Sequence, residues 1–209
     1  MRVAGIILAG GQSRRMDGSD KAMLPFGDRR LIDHVYLRLS RQVETIALNS
    51  NGEPARFADL KIPVIADDVP GFVGPLAGIL SGMLWAASQS TPFSHILSVA
   101  TDTPFFPNDL AETLQQAVTH DAGHIGVAAS GGRLHPTFAL WPVALHADLR
   151  QWLGDPLNRR VTAWIGRHPH HVVEFPPLVT QTGGHLDPFF NINTPQDAAD
   201  ARRQWMTTE

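Results

Sequence analysis

The chain contains no cysteine. That absence excludes disulfides, thiolate zinc sites, iron–sulfur clusters and cysteine nucleophiles, and it fits a reducing compartment. Charge is also scarce: 18% of residues are charged and the formal net charge is −3. There is no global basic field to hold a nucleic acid, so any anionic ligand must be held locally. Long apolar runs are missing too. No stretch approaches the roughly 18 apolar residues of a membrane span. The first residues, MRVAGIILAGG, carry one basic residue and a short apolar run, without the h-region and cleavage site of a signal peptide. The expectation is a soluble, cytoplasmic protein that binds neither nucleic acid nor membrane.

What is present is an alternation of buried strands and amphipathic helices. VAGIILA (3–9) is a short apolar run bounded by glycine, as in a buried parallel strand. Leu31, Val35 and Leu39 recur at helical spacing over 31–43. Strands are expected at 45–50, 62–68 and 95–102, a helix opened by Gly74 and Pro75 at 74–88, and another at 108–119. The second half reads as strands at 124–130, 136–142, 171–176 and 189–193, with a GGR turn after the first. Helices are expected there at 143–153, 159–167 and 195–205. Alternation of this kind predicts a three-layer α/β/α sandwich on a largely parallel, twisted sheet. No repeat, low-complexity tract or linker interrupts it, so residues 1–209 are read as one domain. Residues 1–110 would mainly bind nucleotide and residues 111–209 mainly the acceptor substrate.

Ligands of open α/β sheets bind beyond the carboxyl ends of the strands. The loops that end there would bring together Gly10, Gly11, Arg14, Arg15, Lys21, Asn49, Asp67, Asp68 and Asp102. Glycines let backbone N–H groups approach an anion, and lysine and arginine add charge and planar forks for phosphate. LAGGQSRRMDGSDK is neither a Walker A loop nor GxGxxG. A surface βα turn with solvated cations presents the same residues. Asp102, in VATDTPFF, ends a buried strand. It is either a turn acid before Pro107 or a partly desolvated carboxylate suited to Mg²⁺. Cations for phosphate beside an acid for Mg²⁺ suit nucleotidyl transfer, in which an ionised phosphate attacks the α-phosphate of a nucleoside triphosphate and needs no general base.

LAGGQSRRMDGSDKAMLPFG resembles the signature LAGG-x-S-x-RM-G-x-DK of nucleotidyltransferases of Rossmann-like fold. With GPLAGI (74–79), ATDTPFFP (100–107), HPTFALWP (135–142) and FFNINTPQD (189–197), the chain is similar to the molybdenum cofactor guanylyltransferases, the MobA family, over nearly its whole length. That resemblance implies transfer of GMP from Mg-GTP to molybdenum-bound molybdopterin, giving the guanine dinucleotide cofactor and pyrophosphate. It implies GTP contacts from Leu8, Ala9, Gly10, Gly11, Lys21, Asn49, Asp67 and Asp102, with Mg²⁺ on Asp102. Arg15, Asn191 and Asn193 would face the pterin, and Lys21, Asp102 and Arg15 would carry the catalysis. A monomer is expected, with transient contacts to molybdoenzymes or molybdenum-insertion proteins. The alternatives are a cytidylyl or sugar-phosphate nucleotidyltransferase of the same fold, and a non-catalytic cofactor carrier.

The family has glycine where Asp17 follows Met16 here. Aspartate tolerates left-handed backbone, so the loop is expected to persist with Asp17 turned to solvent. His135 is read either as a substrate contact or as a hydrogen-bonded structural histidine. His168, His170 and His171 crowd one proline-containing turn and are not expected to form a metal site. Trp141, Trp152 and Trp164 are read as packing residues. Asn191 and Asn193 alternate about Ile192 and would share one strand face. Thr194 and Pro195 are a natural N-cap and first residue for the last helix.

Overall fold

The two faces of the sheet are written in the alternation of its first strand. β1 (Val3–Leu8) is buried throughout. Ala4, Ile6 and Leu8 point into one apolar layer, and Val3 and Ile7 into the other. The computed structural model describes residues 1–10, 21–69, 74–180 and 183–205.

From β1 the chain passes to α1 (Leu31–Leu39), β2 (Thr45–Asn49), β3 (Val64–Ile65), α2 (Pro75–Ala87), β4 (His95–Ala100) and α3 (Leu110–Ala117). β5 (Ile125–Ser130), β6 (Arg133–Pro142), α4 (His146–Leu153), α5 (Val161–Ile165), β7 (His170–Glu174) and α6 (Pro195–Trp205) complete the framework. The strands form one seven-stranded sheet in the order β3-β2-β1-β4-β6-β5-β7. β6 runs antiparallel to both neighbours, while the other pairings are parallel. Leucine, isoleucine and tryptophan from α2, α4 and α5 fill one side, and α1 and α3 cover the other. The architecture is the expected Rossmann-like α/β/α sandwich.

Close packing of α2 on the sheet depends on glycine. A Cβ on Gly82 would lie 2.7 Å from Ile6, and one on Gly78 would lie 2.3 Å from the Asn49 amide oxygen. These contacts also set direction: Gly78 meets the carboxyl ends of β1 and β2, so the N-terminus of α2 lies at that end. Trp141, fully buried in β6, donates its indole N–H to Ser98 at 2.8 Å, and Ser98 donates to the Thr137 carbonyl at 2.7 Å. The buried Trp141 and Ser98 polar groups thus both have partners.

Several element boundaries differ from the sequence reading. The strand expected at 62–68 shortens to two residues, because the Asp67 N–H turns to the Asn51 side chain at 2.8 Å instead of continuing the ladder. The helix expected at 143–153 begins as a single 3₁₀ turn, Val143–Leu145, before α4. β6 extends back to Arg133, with a register break against β5 between Val127 and Ala128. Pro136, which has no N–H to give a ladder, lies within that break. Residues 189–193 do not form a strand. Their backbone donors go elsewhere: Phe190 N–H to the Asp187 carbonyl at 3.0 Å, Ile192 N–H to the Asp102 carbonyl at 2.7 Å, and Asn193 N–H to the Asp197 carboxylate at 2.9 Å.

A third apolar cluster joins α6 to the carboxyl end of the sheet. Phe26, Leu31, Phe105, Leu186, Ile192 and Ala201 pack together there. α6 starts as expected: the Thr194 hydroxyl accepts the Asp197 N–H at 3.0 Å, and the Asp197 carboxylate accepts the Thr194 N–H at 2.9 Å. This is a reciprocal cap. Among the described residues no helix is long and apolar enough to cross a membrane.

Candidate active site

Strand register places the site. Leu8 lies abreast of Asn49 on one side and Ala100 on the other, and Asn49 pairs with Ile65. Ala9, Gly10, Asp67 and Asp102 therefore emerge from neighbouring strand ends into one crevice. Gly11, Arg14, Arg15 and Asp17 lie outside the described residues.

Asn49 is 2% exposed, and both functions of its amide are set by neighbours. Its N–H₂ donates to Asp67 at 2.9 Å and to the Ile65 carbonyl at 3.3 Å. Its oxygen fills the space above Gly78 and lies 3.3 Å from where a Gly10 Cβ would stand. Asp67 also accepts from Asn51 at 2.6 Å. Asp67 thus acts as a brace between two asparagines, a role the sequence reading did not include for Asn51. Asp68 turns away to Arg150 of α4 at 2.7 Å, with its N–H donating to Ser81 at 2.8 Å. The Leu8 carbonyl accepts the Thr101 N–H at 3.3 Å, and the Ala9 N–H donates to the Asn49 carbonyl at 2.9 Å, so the β1 end is fixed on both sides.

On the other side of the crevice, one segment crosses over Asp102. The Thr103 hydroxyl donates to the Asn191 amide oxygen at 2.5 Å. The Lys21 ammonium donates to the Asn193 amide oxygen at 2.6 Å. With the Ile192 N–H on the Asp102 carbonyl, residues 191–193 are laced to both the metal-candidate loop and the lysine. Asn191 and Asn193 therefore reach Thr103 and Lys21 from an irregular segment rather than from one strand face. Burial pushes the Asp102 carboxyl above the usual carboxylate range; the Lys21 charge and the Thr103 hydroxyl pull the other way without cancelling it. Among the described residues, Lys21 is the cation that acts on this desolvated carboxylate, and it does not offset the burial.

His135 proves to be a hinge of this lacing. Its Nε2 lies 2.7 Å from the Ser130 hydroxyl, which donates to Asp187 at 2.8 Å; Asp187 in turn accepts the Phe189 N–H at 2.9 Å. The imidazole stacks on Phe189 with centroids 4.4 Å apart. Burial holds it below the ordinary histidine range, against the charge of Asp187. His135 is thus structural within the described residues, and what it structures is the start of the segment bearing Asn191 and Asn193.

The remaining aromatic and histidine readings divide. Trp141 and Trp164 are fully buried, and Trp152 lies under the Arg167 guanidinium at 4.6 Å. His168 donates to Asp148 at 3.0 Å and His170 lies 2.9 Å from the His168 carbonyl. His171 instead meets Asp121 and His124 at the opposite end of the sheet, a grouping the sequence reading missed.

The MobA-like NTP transferase domain model matches residues 5–172. The molybdenum cofactor guanylyltransferase of Mesorhizobium japonicum is 51% identical over 201 residues, covering 96% of this chain and 95% of that protein. The protein of the same name from Rhizobium meliloti is 49% identical over 196 residues, covering 94% and 88%. Among solved structures, the molybdopterin-guanine dinucleotide biosynthesis protein A of Archaeoglobus fulgidus superposes with a TM-score of 0.69 over 97% of both chains at 23% identity, a likeness of fold.

Proposed function

Because the chain belongs to the MobA-like NTP transferase domain family, we propose that it transfers GMP from GTP to molybdenum-bound molybdopterin. The terminal phosphate of the pterin attacks the α-phosphorus of GTP. The bond to the β-phosphate breaks, and pyrophosphate leaves. The observation that carries this reading is the lacing of residues 191–193 to Thr103, the Asp102 carbonyl and Lys21. It supports a reading in which the groups assigned to the nucleotide and to the acceptor face one another, as an in-line displacement requires.

In this reading Leu8, Ala9, Gly10 and Gly11 bring backbone to the nucleotide, with Asn49 held in place by Asp67. The N-terminus of α2, beside Asn49, favours negative charge there. Lys21 neutralises phosphate charge, and Arg15, Asn191 and Asn193 orient the acceptor. Asp102 fits Mg²⁺, which takes one or two carboxylates and completes its shell with phosphate and water. Bound there, Mg²⁺ supplies charge neutralisation on the phosphates. The chain acts as a single domain in the cytoplasm, with residues 1–110 mainly on the nucleotide and 111–209 mainly on the acceptor. It works as a monomer that meets molybdoenzymes or insertion proteins transiently.

A thermal-shift titration with GTP, CTP, ATP and UTP, each with and without Mg²⁺, tests the base. GTP at 100 times its Kd should stabilise by about 2.7 kcal/mol, roughly 5–10 °C for a chain of this size, and only with Mg²⁺. A shift with CTP instead moves the assignment to cytidylyl transfer. GTP binding without pyrophosphate release in the presence of the pterin substrate makes the protein a carrier.

A further inference from the structure

Asp121, His124 and His171 come together at the amino-terminal end of the sheet, away from the crevice just described. Asp121 and His124 belong to the turn between α3 and β5, where the His124 N–H donates to the Asp121 carbonyl at 2.7 Å. His171 lies in β7, directly across from Gly126 of β5. Two positions separate His124 from Gly126, so both imidazoles stand on the same face of the sheet. Gly126 has no side chain to come between them, and the Leu114 carbonyl of α3 lies 3.3 Å from where its Cβ would be. The chain leaving α3 then brings Asp121 onto the same spot.

The donor atoms form a small triangle. His124 Nδ1 lies 3.1 Å from His171 Nε2, His171 Nε2 lies 3.2 Å from Asp121 Oδ2, and His124 Nδ1 lies 3.9 Å from that same oxygen. A tetrahedral ion with bonds of about 2.0–2.1 Å holds neighbouring ligand atoms roughly 3.3 Å apart. Hydrogen bonding alone serves the triangle poorly. If His171 Nε2 carries its proton, one N–H is shared between a carboxylate and a second imidazole. If it does not, its lone pair faces the carboxylate oxygen. A cation at the centre uses all three lone pairs at once. The turn is also pinned from outside the triangle, since His95 Nε2 donates to the Ala122 carbonyl at 2.9 Å.

We infer that Asp121, His124 and His171 form a binding site for a divalent transition metal of the zinc class, closed by water at a fourth position. Two imidazoles and one carboxylate select zinc, cobalt or nickel over magnesium, which prefers an all-oxygen shell. The half-buried histidines and exposed aspartate leave a path for entry. The ion ties the α3–β5 turn to β7. It is separate from any metal on Asp102, and the inference holds whatever nucleotide the crevice takes.

The test is calorimetric titration of ZnCl₂ into the untagged, chelator-stripped full chain with millimolar Mg²⁺ present. One site with a Kd below about 10 μM is expected. His124→Ala/His171→Ala should lose more than about 100-fold, beyond what the loss of second-shell partners costs a metal site. Asp102→Asn should leave zinc affinity unchanged. Circular dichroism of each variant checks folding, and His171→Gln serves if the double variant fails to fold. Weaker binding by the native chain, displacement by Mg²⁺, or undiminished binding in the histidine variants overturns the inference.

Discussion

The two ends of the sheet are made by loops of the same strands, yet they carry different chemistry. At the carboxyl end the described polar groups are amides, hydroxyls, carboxylates and a lysine, bound in pairs across distant parts of the chain. At the amino end they are imidazoles and the Asp121 carboxylate, held by short turns and one strand pairing. The first set offers hard oxygens and positive charge, which suit phosphates and a hard cation. The second offers nitrogen lone pairs, which suit softer metals. Topology decides where a site can form, and residue chemistry decides what it takes.

The largest effect expected from separating the ends is on activity. Asp102→Asn should reduce guanylyl transfer roughly 10²–10³-fold, or about 3–4 kcal/mol in the barrier, measured as pyrophosphate release at saturating GTP. The same variant should not lose stability. Burial raises the native pKa of this carboxyl above its unfolded value, so the native state binds the extra proton and stability falls as pH rises through that window. Asparagine removes that cost, and its melting temperature at neutral pH should equal or exceed that of the parent. Full activity would remove Asp102 from the site.

A smaller effect comes from packing. Gly78→Ala puts a methyl 2.3 Å from the Asn49 oxygen and should cost about 1–3 kcal/mol while weakening nucleotide binding. Gly123→Ala at the other end meets nothing within 4 Å and should stay within about 0.5 kcal/mol of the parent. Equal losses in a denaturant series would mean that the crevice is no more tightly packed than the turn.

The smallest effect is on acid sensitivity through the histidines, and a buried histidine stands at each end. Burial holds His95 and His135 below their ordinary range. Each therefore stabilises the fold above its unfolded pKa of about 6.5, and that stability is lost as pH falls below it. His95→Gln and His135→Gln should each flatten the stability profile as pH falls below about 6.5. Only the second should also alter the KM for the acceptor, since His135 supports the segment bearing Asn191 and Asn193. An unchanged profile in both would place the acid sensitivity in other groups.

The gathering of Gly10, Asn49, Asp67 and Asp102 was legible because these residues end or follow neighbouring parallel strands. Apolar runs mark those strands, and strand ends share one edge by geometry. The segment 189–193 was legible only in part. FFNIN alternates like a strand, but Asp102, Asp187 and Asp197 take its backbone donors, and no local pattern reveals those partners. Thr103, inside ATDTPFF, was in view without a role until Asn191 was placed beside it. The amino-end triangle was hidden for a related reason. Asp121 and His124 are neighbours in sequence, but β5–β7 pairing supplies His171, and of three crowded histidines only that one turns toward them.

The bond between Lys21 and Asn193 joins residues 172 positions apart. A chain emerging from the ribosome at about 5–20 residues per second makes Lys21 many seconds before the amide that holds it. Until that amide arrives, the early strands can fold, but the crevice lacks its far wall. Synthesis order thus separates the appearance of the early strand ends from the arrival of residues 191–193 that cross over them.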